Sequence, residues 1–377
     1  MIARPIKRDD FAFQHRDHPV ITSEGAVRSI SQAFRPLRHA RLADTERLTN
    51  IEAKVQGLPI IEAKGLKRTF KARGAKGKLI EAVRGIDLVV REGEIVGFLG
   101  PNGAGKTTTL KMLCTLLEPT GGSATVVGAD LRTDSFGVRR RIGYVSQAGS
   151  TSPEARAGEE IMSQAELYGI SRSVARRRGE ALLAALDLGD VWDRPCGKLS
   201  GGQRRRLDIV MGLIHEPKLV FLDEPSTGLD PQSRANLWTH IRKLRDELGT
   251  TVFLTTHYMD EADSLSDRIL IIDNGTIVAE GTPAELKKKV SGDAITLTLR
   301  TAGDAERSAG IAAGLAGADT PVTEANVVRL HVSDGGSALP VMLKGLVDAG
   351  IEAIGVEVNR PTLDDVFLTL TGRSLRD

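Results

Sequence analysis

The sequence predicts an α/β protein. A mostly parallel sheet core carries helices on both faces, with an antiparallel β part, a helical subdomain and a small C-terminal α/β domain. Three observations carry this expectation. Ile95–Leu99, Leu219–Leu222 and Thr251–Leu254 are short apolar runs of the length that suits strands buried on both faces. Helical patterns lie between them, and alternating strand and helix implies parallel strands joined by crossovers. A glycine-rich turn, Gly100–Gly105, joins the first of these runs to a helical pattern.

Taken in chain order, residues 1–59 mix charges with Pro5, Pro19 and Pro36 and keep no period. They are expected to form a poorly ordered extension, with one helix over Thr22–Phe34. The main domain is expected over 60–287. Ile86–Val90 reads as a strand, Arg91–Glu94 as a turn and Ile95–Leu99 as a buried strand. A helix follows Thr107 through Leu110, Met112, Leu113 and Leu116, stopped near Pro119. Ser152–Lys198 is rich in helical pattern and reads as an inserted subdomain. Asn274-Gly275 between two apolar runs predicts a hairpin across Arg268–Gly281. Over 288–377 the runs Ile295–Leu299, Val327–Val332 and Ala353–Val358 alternate with helices near 304–315 and 338–349, which describes a separate accessory unit.

Composition narrows the function classes. Of 377 residues, 41% are hydrophobic, enough for an ordinary core. The net charge of +2 does not advertise nucleic acid, and none is expected as a partner. Cys114 and Cys196 stand apart from each other and from histidine, which argues against a disulfide scaffold or a zinc site. No run reaches the ~20 apolar residues that would span a bilayer. The N-terminus lacks the apolar stretch of a signal peptide.

The chemistry concentrates in four places. Gly100-Pro101-Asn102-Gly103-Ala104-Gly105-Lys106-Thr107, followed by Thr108, has the spacing of a phosphate-binding loop between strand and helix. Its N–H groups would wrap phosphates, Lys106 would neutralise them, and the Thr107 hydroxyl would ligate Mg²⁺. Leu219–Leu222 ends in the adjacent carboxylates Asp223 and Glu224, at the strand end where α/β sheets bind ligands. Asp223 would hold Mg²⁺ through water and Glu224 would act as general base. His257 ends the next strand run. Finally, Leu199-Ser200-Gly201-Gly202-Gln203 opens a helical pattern and forms a second glycine-rich, phosphate-seeking helix start.

The order of these pieces, with Gln147 between the first and the rest, resembles the ATP-binding subunit of ABC transporters over roughly residues 60–285. The resemblance implies ATP and Mg²⁺ as cofactors, and ATP hydrolysis coupled to a separate membrane permease. It also implies a head-to-tail dimer in which Ser200–Gln203 serves the other copy's ATP, and a location at the cytoplasmic face of the membrane. By the same resemblance Gln147 touches Mg²⁺ and senses the γ-phosphate, Asp230 in Ser226–Asp230 lies at the dimer seam, and Phe70 stacks on adenine. The ending Pro361–Gly372 is similar to that of daunorubicin-resistance-type ATPases, which implies drug or antibiotic export. Ala157-Gly158-Glu159-Glu160 departs from the sequence usual near the permease-facing surface. The rival within the family is a non-transport ATPase acting on ribosomes or DNA. Such relatives carry two cassettes or a long coiled coil, whereas this sequence has one phosphate loop and a short insert.

Overall fold

The computed structural model describes residues 59–71, 79–289, 292–315 and 317–372. The extension expected over 1–59, including the helix expected over Thr22–Phe34, lies outside the described residues except for Pro59.

The elements run in chain order as follows. Strands β1 (Pro59–Lys71), β2 (Leu79–Arg91) and β3 (Ile95–Leu99) precede helix α1 (Lys106–Leu113). Strands β4 (Gly121–Val126) and β5 (Ala129–Asp130), helix α2 (Ser135–Arg141) and strand β6 (Ile142–Val145) come next. The insert holds α3 (Ala157–Leu167) and α4 (Arg172–Ala185), and α5 (Gly201–Leu213) returns the chain to the sheet. Then come β7 (Leu219–Asp223), α6 (Pro231–Leu248), β8 (Thr251–Thr256), α7 (Met259–Leu265), β9 (Arg268–Asp273), β10 (Thr276–Gly281) and α8 (Pro283–Lys288).

Strands β9, β3, β8, β7 and β6 lie parallel in a six-stranded sheet whose far edge, β10, is antiparallel. Every residue of β3, β7 and β8 is buried, which is why Ile95–Leu99, Leu219–Leu222 and Val252–Leu254 within them show no polar alternation. A second, antiparallel sheet ordered β2-β1-β4-β5 packs against the first. Phe98, Phe221 and Phe253 fill the layer between them, with ring centroids 5.5 and 5.6 Å apart. On the other side, α3, α4 and α5 share a core with the sheet through Ile161, Leu182, Leu207, Val210 and Leu222.

The predicted hairpin is present, and Asn274 and Gly275 both take positive φ, 48° and 79°. That is the turn whose twist suits two-residue hairpins. Its tip also has a second role: the Gly275 N–H donates to the Ala104 carbonyl and so braces the phosphate loop.

The C-terminal unit comprises β11 (Asp293–Leu299), α9 (Ala302–Ala312), β12 (Val322–Glu324), β13 (Val327–Val332), α10 (Gly335–Asp348) and β14 (Ala353–Asn359), then α11 (Leu363–Thr371). Its four strands pair antiparallel in the order β12-β13-β11-β14, with Ile295, Leu297 and Leu330 facing Met342 and Leu346. The closing helix α11 packs away from that core. Leu363, Val366 and Phe367 bury against Leu99, Ile269 and Ile271 of the main sheet, Ala262 of α7 and Leu286 of α8. The chain thus returns to the main sheet after building the C-terminal sheet.

Candidate functional site

The glycine loop turns at the C-terminal end of β3, where the parallel strands all point. Gly105 takes φ +107°, and a Cβ there would sit 2.6 Å from the Ala82 carbonyl oxygen. Only glycine allows the loop to pass under β2 and enter α1 at that angle. The Lys106 Nζ donates to the carbonyls of Gly100 (2.7 Å) and Pro101 (3.1 Å) and stands 3.5 Å from Glu224 Oε1. Burial pushes the Lys106 ammonium below its ordinary value, and the charges of Glu224 and Asp223 oppose that shift. Asn102, Gly103, Gly105, Lys106, Thr107, Thr108, Gln147 and Glu224 line one cavity of about 230 Å³.

Asp223 and Glu224 end β7 as expected, and their surroundings differ. Asp223 Oδ1 accepts from Thr107 Oγ1 (3.0 Å) and from Thr255 Oγ1 of the neighbouring strand (2.7 Å). Glu224 adopts φ +45°, a left-handed conformation uncommon for a side chain of this kind. Its N–H is held by the Thr255 carbonyl (3.1 Å) and hydroxyl (3.0 Å). Its Oε2 accepts from Gln147 Nε2 (3.0 Å) and Thr227 Oγ1 (3.2 Å). His257 Nδ1 lies 3.3 Å from the same oxygen without hydrogen-bond geometry.

Two groups of expected residues stand outside this cavity. Phe70, half-buried on β1, pairs with Ile80 of β2, and the Arg68 guanidinium covers its ring at 4.7 Å. Ala82, two residues beyond Ile80, lines the cavity, so Phe70 belongs to the strand pair flanking it and not to its wall. Ser200–Gln203 forms a capping box at the start of α5: Gln203 N–H donates to Ser200 Oγ and Ser200 N–H to Gln203 Oε1. The N–H groups of Gly201 and Gly202, first in the helix, have no carbonyl one turn back. Ser200 and Gly201 are exposed. Asp230 is beside them, because a Cβ on Gly202 would meet Ser233 Oγ at 3.2 Å, and Ser233 N–H and Oγ bond Asp230 at 2.9 and 2.6 Å. Those bonds pull the Asp230 carboxyl below its ordinary value.

Three contributors escaped the sequence reading. Thr255 ties both carboxylate positions to β8, and a hydroxyl inside an apolar strand is the signal that marks it. Thr227 holds Glu224 from a turn. Arg205, buried within α5, is the third; it is the middle of three consecutive arginines, and no local pattern marks it as the buried one.

A glycine loop, a lysine, a hydroxyl–carboxylate pair and a glutamate gathered at the ends of parallel strands define a P-loop nucleotide-hydrolysing cassette. The model of the ABC transporter family matches residues 83–227, and that of the C-terminal domain of DrrA1-3-like ATP-binding proteins matches 281–371. Daunorubicin resistance ATP-binding protein DrrA3 of Streptomyces coeruleorubidus is 43% identical over 296 residues, 78% of this chain and 93% of that protein. Linearmycin resistance ATP-binding protein LnrL of Bacillus subtilis is 33% identical over 320 residues, 84% of this chain and all of that protein. Among solved structures, the dimeric post-hydrolysis state of the cassette MJ0796 bound to ADP and phosphate superposes with TM-score 0.54 at 26% identity. It covers 59% of this chain and 98% of that one. The chain belongs to the ATP-binding subunits of ABC transporters, in the daunorubicin-resistance branch. It is an ATPase subunit of a family that binds ATP and acts as dimers with membrane permeases. Among the described residues no helix is long and apolar enough to cross a membrane.

Proposed function

We propose that two copies close head to tail over ATP at the cytoplasmic face of the membrane and drive export of a drug- or antibiotic-like cargo through a separate permease. The carrying observation is a division of labour. Lys106, Thr107, Gln147 and Glu224 line one cavity with Asp223 and His257 against them, while the second glycine-rich helix start is exposed beyond it. A second copy would bring its Ser200–Gln203 over this copy's phosphates, where the Gly201 and Gly202 N–H groups would meet anionic oxygens. Asp230 would lie at the seam.

Within the cavity, Lys106 would leave its loop carbonyls for the β- and γ-phosphates. Thr107 Oγ1 and the Asp223 carboxylate, joined by Gln147, form a set of hard oxygen donors that fits Mg²⁺. That ion, when bound, would supply charge neutralisation of the phosphates. Glu224 would take the proton of the attacking water, with Gln147 and Thr227 holding its Oε2 and His257 beside it. Phe70 would offer the adenine a ring at the flank of the cavity.

The groove of about 730 Å³ between α3 and α4, lined by Gly158, Glu159, Met162, Arg172, Arg176 and Trp192, would seat a cytoplasmic helix of the permease. Gly158 is required there, because any Cβ would meet the Trp192 indole at 2.4 Å. The resistance and export names of the relatives support the cargo class. The experiment is Glu224→Gln: ATP still binds, turnover stops, and an ATP-bound dimer accumulates on size exclusion. Rapid hydrolysis by that variant would remove Glu224 from the role of base.

A further inference from the structure

Helix α5 approaches β6 unusually closely. A Cβ on Gly143 of β6 would lie 2.3 Å from the Gly212 carbonyl oxygen, and one on Gly212 would lie 3.0 Å from Val145. Two glycines facing each other draw the helix onto the strand. Arg205 and Asp208, one turn apart on the same helix, then reach the segment that follows β6.

Each of the three guanidinium nitrogens of Arg205 donates to a backbone carbonyl. Nε donates to the Pro225 carbonyl (2.9 Å), Nη2 to the Asp223 carbonyl (2.9 Å) and Nη1 to the Ser146 carbonyl. The first two flank Glu224 on either side. The third belongs to a turn in which Gly149 N–H also donates to Ser146 O, with Gln147 inside it. Asp208 Oδ1 holds the far end of that turn through Ser150 N–H (3.1 Å) and Oγ (3.2 Å). Arg205 is 7% exposed, so these bonds are shielded from water.

We infer that Arg205 is a positioning residue for hydrolysis: its planar fork holds Glu224 in its left-handed backbone conformation and holds the Gln147 turn against it. The inference rests on the reading of Glu224 as base. Three carbonyls from two segments converge on one planar group, and a point-charge ammonium cannot reproduce that fork. Asp208 supports the same geometry from the other end of the turn. Neither residue needs to touch nucleotide, so their removal affects the chemical step more than binding.

The test compares Arg205→Lys, Arg205→Gln and Asp208→Asn with Glu224→Gln in the full-length chain, using Mg-ATP turnover, nucleotide binding and amide hydrogen exchange. Arg205→Lys keeps a buried cation and guards against simple unfolding. For Arg205→Lys, kcat should fall about 100-fold, as misplacement by an ångström predicts, with the KM for ATP changed less than about threefold. Exchange should rise at 146–150 and 224–227 and stay unchanged in α6. Asp208→Asn should raise exchange at 146–150 with a smaller loss of kcat. Exchange at both segments equal to that of the parent chain would overturn the inference, as would raised exchange with undiminished kcat. A matched rise in exchange throughout the cassette would assign Arg205 to general stability and overturn it too. If Glu224→Gln hydrolyses ATP freely, the reading of the base fails, and the exchange at 224–227 still decides whether Arg205 holds that backbone.

Discussion

Two glycine-rich helix starts in this molecule look alike as sequence and differ in their surroundings. At Gly100–Thr107 the loop is braced by a hairpin tip and passes beneath β2. Its lysine and the neighbouring carboxylates are buried. At Ser200–Gln203 the same elements of glycine and helix dipole form a self-satisfied capping box on an exposed surface. The first site holds charge in a low-dielectric pocket, where each ionic contact is strong and each missing partner costly. At the second, Ser200 and Gly201 are exposed and stand apart from the cavity that holds Lys106 and Glu224. On the proposed reading, a glycine-rich helix start apart from that lysine and glutamate is half a site, which fits a family that acts as dimers.

The comparison can be broken in order of expected effect. Lys106→Ala should reduce ATP turnover on the order of 10²–10³-fold and weaken nucleotide binding, because it removes the buried cation that faces the phosphates. A filter-binding assay with Mg-ATP checks the binding part. Ser200→Arg should reduce turnover about 100-fold, comparable to losing one transition-state donor, while the isolated chain binds ATP normally. Normal turnover in that variant would contradict a site shared between copies.

Smaller effects sharpen the contrast. Gly105→Ala places a Cβ 2.6 Å from a carbonyl oxygen at φ +107° and should lower stability by about 1–3 kcal/mol. Gly201→Ala, whose Cβ would meet Leu229 at a comfortable 3.7 Å, should change stability by less than about 0.5 kcal/mol. Paired thermal melts read both, and equal shifts would deny that only the first loop is sterically locked.

Acid should act on the scaffold through two histidines. Burial pushes His215 and His240 down to about 4, so both are neutral in the folded protein at pH 7. Between their ordinary value near 6.5 and about 4 the unfolded chain binds more protons than the folded one. Stability is therefore complete above that window and falls as the pH drops through it. A melting temperature that stays flat from pH 7 to about 4.5 would contradict this.

Much of this was legible from residues alone because the signals were local. β3 coincides with the expected run Ile95–Leu99, the hairpin turns at Asn274-Gly275, and the three strand runs of the C-terminal unit are all present. Local signals failed where a partner across space decided the matter. The helix expected to reach Leu116 ends at Leu113, because Thr115 takes a left-handed turn after it. The strand expected at Ile86–Val90 runs from Leu79 to Arg91, since pairing with the whole length of β1 extends it past its apolar stretch. The apolar residues Leu363, Val366 and Phe367 stand in the sequence of the ending, yet only packing reveals that they cover Leu99, Ile269 and Ile271 of the main sheet instead of their own unit.

The order and spacing of Gly100–Thr107, Gln147, Ser200–Gln203, Asp223-Glu224 and His257 by themselves determined the class of chemistry, because each motif is a short-range arrangement of donors and charges. The tertiary structure alone decided which of them meet. It brought Lys106, Gln147 and Glu224 into one cavity, left Ser200–Gln203 outside, and placed Arg205 behind Glu224. The physical reason is that a parallel sheet converges strand ends separated by more than a hundred residues, and no local pattern encodes which side chains will then share one volume.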